Sequence, residues 1–160
     1  MSVKLLRKMR QGGEHEKARE LAVQLAADRP NDAQLQFETA CVHDYLGREA
    51  EAVPFYLAAI KGNLDKPFLR QAFLGLGSTY RVLGQYVEAK QALLDGLSRF
   101  PHANELKVFL AMTLHNLGEA KESVELLLKV VAKTSDDKAV RSYRKAIAFY
   151  AADIDKTWEA

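Results

Sequence analysis

Cys41 and His115 are the residues of this sequence that could form a catalytic pair. Cys41 is the single cysteine among 160 residues, and His115 is one of four histidines. A cysteine beside a histidine can act as a nucleophile, because the imidazole accepts the thiol proton. No glycine-rich elbow, orienting acid or oxyanion arrangement accompanies the two residues, and a lone cysteine usually behaves as a small buried hydrophobic residue. We therefore predict that the protein is not an enzyme, and we keep catalysis by Cys41 and His115 as a remote alternative.

The spacing of the other polar residues argues against a metal or a cofactor. Structural metal sites place their ligands about two to five residues apart, whereas the histidines of this chain lie far from one another. Gly75 and Gly77 fall inside a helical pattern and not after a strand, so they do not form a phosphate-binding loop. We predict no metal and no cofactor. The histidines are His15, His43, His102 and His115.

The composition is that of a soluble globular protein with little net charge. The formal net charge is +2, and 48% of the residues are hydrophobic and 28% are charged. A charge so close to zero does not favour binding to nucleic acid or to anionic lipid. No apolar run approaches the roughly 20 residues of a membrane span, and the basic N-terminus lacks the long apolar core of a secretory signal. We predict a cytoplasmic location without membrane attachment, and the single cysteine fits a reducing compartment.

The stretch from Arg70 to Pro101 shows how the chain is built. Each half carries apolar or small residues at spacings of three and four, which form one face of an α-helix. Gly84 stands between the halves, where a helix ends in a left-handed residue that glycine adopts without strain. We expect Ala89 to be buried against Gly77. The helix faces consist of Phe73, Leu76, Gly77 and Tyr80, and of Ala89, Leu93, Gly96 and Leu97.

Four glycines at helix turns recur with a period close to 34 residues. The intervals between them are 34, 37 and 34 residues. The longer interval contains three extra residues, which we assign to a loop at 62–67, because that segment is rich in helix breakers. The glycines are Gly13, Gly47, Gly84 and Gly118.

The recurring residues resemble the tetratricopeptide repeat. The resemblance implies an all-α fold, a right-handed α-solenoid of antiparallel helix pairs, in a single domain over residues 1–160. It places repeats at about 1–30, 31–66, 67–101 and 102–134, followed by one capping helix at about 136–158. The motif is carried most completely by Leu76-Gly77, Tyr80, Leu83-Gly84, Tyr86, Glu88-Ala89, Gly96 and Pro101.

In the tetratricopeptide architecture, the first helix of each pair lines a concave groove. The resemblance therefore implies a partner-binding strip along these helices. Much of the strip is apolar, and an exposed apolar patch usually marks a binding surface. Some family members hold the C-terminal carboxylate of a chaperone with a lysine and an asparagine, and neither residue stands at the matching positions here. The predicted groove residues are Arg7, Arg10, Phe37, Cys41, Asp44, Tyr45, Leu74, Ser78, Arg81, Val82, Val108, Met112 and His115.

The resemblance implies a non-enzymatic scaffold or adaptor that binds a peptide or a helix of a partner protein in the groove. An alternative is a module for self-association, in which the first or the last helix packs on another copy of the chain. The end of a solenoid leaves apolar surface without a neighbour, so we keep a homo-oligomer as the alternative to the adaptor function.

Overall fold

The computed structural model describes residues 3–158, and this part of the chain contains α-helices and no β-strands. The first eight helices form four pairs, each joined by a tight turn, and two short helices follow them. This arrangement confirms the predicted all-α fold. The helices are α1 Val3–Gln11, α2 His15–Asp28, α3 Ala33–Tyr45, α4 Glu49–Lys61, α5 Lys66–Val82, α6 Tyr86–Arg99, α7 Asn104–Asn116, α8 Ala120–Thr134, α9 Lys138–Ser142 and α10 Arg144–Tyr150.

The helices stack in chain order, so that the core is a series of layers. The two helices of a pair pack on each other, and the second helix of each pair also packs on the first helix of the next pair. In addition, the first helices contact one another, α1 with α3, α3 with α5, and α5 with α7. This pattern of contacts between neighbours is that of an α-solenoid.

The turn within each pair ends in a left-handed glycine, as predicted. Gly84 has φ 74, and the other three turn glycines are also positive. The Gly84 N–H donates to the carbonyl of Arg81 at 3.1 Å, and the Gln85 N–H donates to that of Tyr80 at 2.9 Å. These two bonds satisfy carbonyls that the end of α5 would otherwise leave unpaired, in the pattern of a Schellman motif.

A small buried residue lies five positions after each turn glycine, where the second helix meets the first. Ala89 is fully buried, which confirms the expectation for this position. The residue packed most closely against Gly77 is Leu93, and not Ala89 as expected. A Cβ atom added at Gly77 would lie 2.5 Å from Leu93 Cγ. The four equivalent residues are Ala18, Ala52, Ala89 and Ser123.

The extra residues of the long interval lie in a helix and not in a loop, so the loop prediction for 62–67 is wrong. The loops that precede α3, α5 and α7 are equally long, at 29–32, 62–65 and 100–103. By contrast, α5 has 17 residues, whereas α3 has 13 and α7 has 13. The additional turn covers residues 66–69 at the start of α5. Pro67 favours it, because proline is readily accepted in the first turn of a helix.

The capping segment consists of two short helices, so the prediction of one long helix at 136–158 is wrong. Tyr143 separates α9 from α10 with φ −99 and ψ 4, and its N–H donates to the carbonyl three residues earlier, at 3.1 Å. After α10, the carboxylates of Asp153 and Asp155 pair with Lys121 on α8 at 2.6 and 3.3 Å. Helix α10 packs on α8 and closes the last layer.

Candidate functional site

The first helices lie side by side and form one continuous surface, which we call the first-helix face. Hydrogen bonds cross from each of these helices to the next. Thr79 on α5 donates to Asp44 on α3 at 2.9 Å, and Arg81 on α5 donates to Asn116 on α7 at 2.9 Å. These bonds hold the helices in register. The arrangement brings together the predicted groove residues of α3, α5 and α7 on neighbouring helices.

Phe37 is not open to solvent, although the sequence analysis placed it in the exposed apolar strip. Only 4% of Phe37 is exposed, because the ring of Phe68 lies 5.7 Å from it. Phe68 belongs to the additional turn of α5, and Arg7 in turn stacks over Phe68 at 4.7 Å. The additional turn therefore fills the part of the groove that Phe37 was expected to line.

Arg7 and Arg10 attach α1 to α3. Both guanidinium groups pair with Glu38, whose side chain is almost fully buried, and the Arg10 contact is 3.8 Å. A buried carboxylate requires charged or hydrogen-bonding partners, because leaving it unpaired is costly. The two arginines thus hold the first pair in place, and only part of each side chain remains available to a ligand.

A polar network under the first-helix face connects three helices. The Tyr56 hydroxyl on α4 donates to Asp44 Oδ2 at 2.6 Å, and Thr79 donates to the other carboxylate oxygen. Burial raises the pKa of Asp44, while these two hydrogen bonds oppose the shift. Burial likewise raises the pKa of Tyr56, and the neighbouring Cys41 and Asp44 raise it further. The network therefore ties Asp44 to the core, although it was predicted to face a ligand.

Cys41 lies beside this network, and its environment does not favour a nucleophilic thiolate. Its sulfur is 3.9 Å from the Tyr56 hydroxyl, and burial raises the pKa of the thiol to about 11. A reactive cysteine needs a lowered pKa and access to solvent. His115 stands on α7, and α5 lies between α3 and α7 in the row of first helices. The structure does not bring Cys41 and His115 onto neighbouring helices.

The open part of the first-helix face lies at the C-terminal ends of its helices. Tyr45 is 63% exposed at the end of α3, and Val82 is 60% exposed at the equivalent position of α5. The ring of His15 lies 4.0 Å from that of Tyr45 and supports it from α2. His115 is exposed at the end of α7. The remaining predicted groove residues are partly buried, namely Leu74, Ser78, Arg81, Val108 and Met112.

Two further surfaces lie outside the predicted groove. A cleft of about 270 Å³ runs between α4, α5 and α6 and has an apolar floor and acidic residues at its edge. A second cleft, of about 370 Å³, lies between α8 and α10 and is basic. The recurrence of lysine at a spacing of four in α8 was a sequence signal for the basic cleft. Its lining residues are Lys129, Ala132, Lys133, Arg144, Lys145 and Ala148.

An exposed aromatic cluster covers the C-terminal end of the stack. The ring of Phe149 lies 5.3 Å from that of Trp158 and 5.6 Å from that of Tyr150. Tyr143, which separates α9 from α10, is also 68% exposed. Exposed aromatic groups in such number are typical of surfaces that bind other molecules.

Stacked helix pairs with an open row of first helices define a helical-repeat protein. A family model described as Tetratrico peptide repeat matches residues 33–154, so the chain belongs to this family. Repeats of this family generally mediate protein–protein interaction, and the family is usually non-enzymatic. The comparison with curated proteins gives no match. Among the helices between residues 3 and 158, none combines the length and the apolar character needed to cross a bilayer.

Proposed function

We propose that the protein is a scaffold that binds a segment of a partner protein on the first-helix face. The observation that supports this most directly is the exposure of Tyr45 and Val82, which occupy equivalent positions on adjacent helices. Large apolar side chains in such a position gain free energy when a ligand covers them. Tyrosine is also enriched among the residues that dominate binding energy at interfaces.

The polar residues around these two anchors favour an extended or helical protein segment. Arg81 and Asn116 form a hydrogen-bonded pair next to Val82, and His115 adds a further donor or acceptor. Such groups fix the orientation of a peptide backbone, while the apolar anchors provide most of the affinity. The ligand is expected to cross the ends of α3, α5 and α7, because the opposite part of the face is closed by Phe68 and the pairs around Glu38.

The test is capture of partners from a native extract by the wild type and by a Tyr45→Glu/Val82→Glu variant. Because both residues are more than half exposed, the substitutions should leave the helical circular dichroism and the melting temperature unchanged. Partner binding should fall by roughly tenfold or more, as expected for the loss of two interface anchors.

The matched control is Val87→Glu/Val124→Glu, which introduces the same charge at exposed positions on second helices. This control should capture the same partners as the wild type. The proposal is contradicted if the two double variants lose partners equally, or if the Tyr45→Glu/Val82→Glu variant folds and captures the same set.

We further propose self-association as a second function, on the basis of the aromatic cluster at the C-terminal end. Phe149 is 60% exposed and Trp158 is 49% exposed, and exposed aromatic side chains of this kind can pack on the same surface of a second copy. Sedimentation velocity should then show a concentration-dependent dimer that Phe149→Ser removes. A monomer at all concentrations would contradict the proposal.

A further inference from the structure

The cleft between α4, α5 and α6 has the composition of a binding site and lies away from the open end of the first-helix face. Its floor is formed by the side of α5 that faces the second helices, with Phe73 and Leu76, and by Ala92 on α6. Leu57 on α4 forms one wall and is 47% exposed. The volume of about 270 Å³ is enough for a large apolar side chain.

This cleft occurs at a junction that lacks a bridging ion pair. At the junction before it, Arg48, the residue that precedes α4, pairs with Glu16 on α2 at 2.9 Å. At the junction after it, Lys90 on α6 pairs with Glu119 before α8 at 2.7 Å. Between α4 and α6, no ion pair is formed within residues 3–158. The space between these two second helices is open, and it leads to Phe73 and Leu76 of the apolar core.

The edge of the cleft on α6 carries two carboxylates without cationic partners. Glu88 and Asp95 are both exposed, and neither forms an ion pair with another residue between 3 and 158. The Asp95 carboxylate accepts a hydrogen bond from the amide of Gln91 at 2.8 Å. Within the described part of the chain, no lysine, arginine or histidine lines the cleft. The two acids are seven positions apart in the sequence, so they lie on one side of α6, roughly 10 Å apart.

We propose that this cleft binds a basic amphipathic helix of a partner protein, at a site separate from the proposed binding strip on the first-helix face. An apolar side chain of the ligand enters the space above Ala92, which lies between Glu88 and Asp95 along α6. Lysine or arginine residues about two turns apart on the ligand meet the two carboxylates. This pairing matches charge and spacing together, and charge complementarity determines which partners are accepted.

The probe is a fluorescent alanine-based helical peptide of roughly 15 residues, with lysines seven positions apart and two leucines between them. Anisotropy at physiological ionic strength should show saturable binding to the full chain. A peptide with glutamates in place of the lysines should not bind. A Glu88→Lys/Asp95→Lys variant should bind the lysine peptide roughly tenfold more weakly or worse.

The control for net charge is Glu20→Lys/Glu122→Lys, which reverses two exposed acids outside the cleft. This variant should keep the affinity within about twofold, because exposed charges beyond a Debye length of about 8 Å are largely screened. If the two charge-reversed variants lose affinity equally, the attraction is non-specific and the proposal is wrong. Should Glu88→Lys/Asp95→Lys fail to fold, Glu88→Gln/Asp95→Asn is the variant to measure, with the same expected direction.

The isoleucine methyl groups provide a second readout that locates the bound peptide. The chain contains three isoleucines, of which Ile60 lines the cleft, whereas Ile147 and Ile154 belong to the C-terminal segment. The methyl resonance of Ile60 should shift on titration with the lysine peptide, and the other two should not. Binding without a shift of Ile60 would overturn the assignment. The Tyr45→Glu/Val82→Glu variant should bind this peptide normally, so failure at one site is distinguishable from failure at the other.

Discussion

Asp44 connects three helices through two hydrogen bonds. Its carboxylate accepts these bonds from the hydroxyl groups of Tyr56 and Thr79. Asp44→Ala should lower the free energy of unfolding by about 1–3 kcal/mol, because two hydroxyl groups lose their acceptor. Asp44→Asn should cost less, since its amide retains one acceptor oxygen. Urea unfolding measures both, with exposed Asp28→Ala as the control. An equal effect of Asp44→Ala and Asp28→Ala would show that the network is not stabilising.

Cys41 should react slowly with thiol reagents at neutral pH. The pKa of its thiol is raised to about 11 by burial, so the thiolate, which is the reactive form, is scarce in the folded state. Alkylation by iodoacetamide at about pH 8 should be on the order of a hundredfold slower than in the urea-unfolded chain. The rate should rise as the pH approaches 11. Rapid alkylation of the folded protein at pH 8 would contradict this prediction.

At the scale of elements, the sequence predicted the turns but not the length of each helix. The turn glycines and the small residues five positions later were sufficient to place four helix pairs, because few other residues fit a left-handed turn or a close helix contact. The 37-residue interval could not show which element was longer. Gly62 and Asn63 suit a loop of any length, and only the packed structure shows that the additional turn begins at Lys66.

The same additional turn explains why the groove could be predicted only in part. Burial of Phe37 depends on Phe68, which is 31 residues away in the sequence. Phe68 belongs to the additional turn of α5, which the repeat motif does not contain. Tyr45 and Val82 are exposed, and their positions follow from their distance to the turn glycines. Their role in binding stays a prediction. The cleft beside α6 was missed, because its walls come from three helices that are distant in the sequence, and such packing has no local sequence signal.

The additional turn of α5 should be energetically coupled to α3. Phe68→Ala removes the ring that covers Phe37 and supports Arg7. Since Phe68 is only partly buried, the expected cost is about 1–3 kcal/mol, below the range for a fully buried phenylalanine. A double-mutant cycle with Phe37→Ala should give a coupling free energy of at least about 0.5 kcal/mol. Additive effects would show that the two rings stabilise the protein independently.

At the scale of the whole molecule, stability should depend on the layer that α10 provides. Deletion of 135–160 removes α10, the helix that packs on α8. The truncated protein should melt at a lower temperature or aggregate, because each layer of a solenoid is stabilised by its neighbours. A shorter deletion of 155–160, which keeps α10, should have a smaller effect. Equal melting of the truncated and intact proteins would show that α10 contributes nothing to the stack.

The position of the single tryptophan determines what fluorescence can report about this protein. Trp158 lies beyond α10 and stacks on Phe149, so its emission depends on the environment of one end of the stack. Local opening at such an end requires less free energy than global unfolding. An emission curve recorded during heating would therefore follow the release of the C-terminal segment, while the helical dichroism of the central repeats would still be native. The two spectroscopic midpoints would differ, and a two-state fit to tryptophan emission alone would understate the stability of the chain.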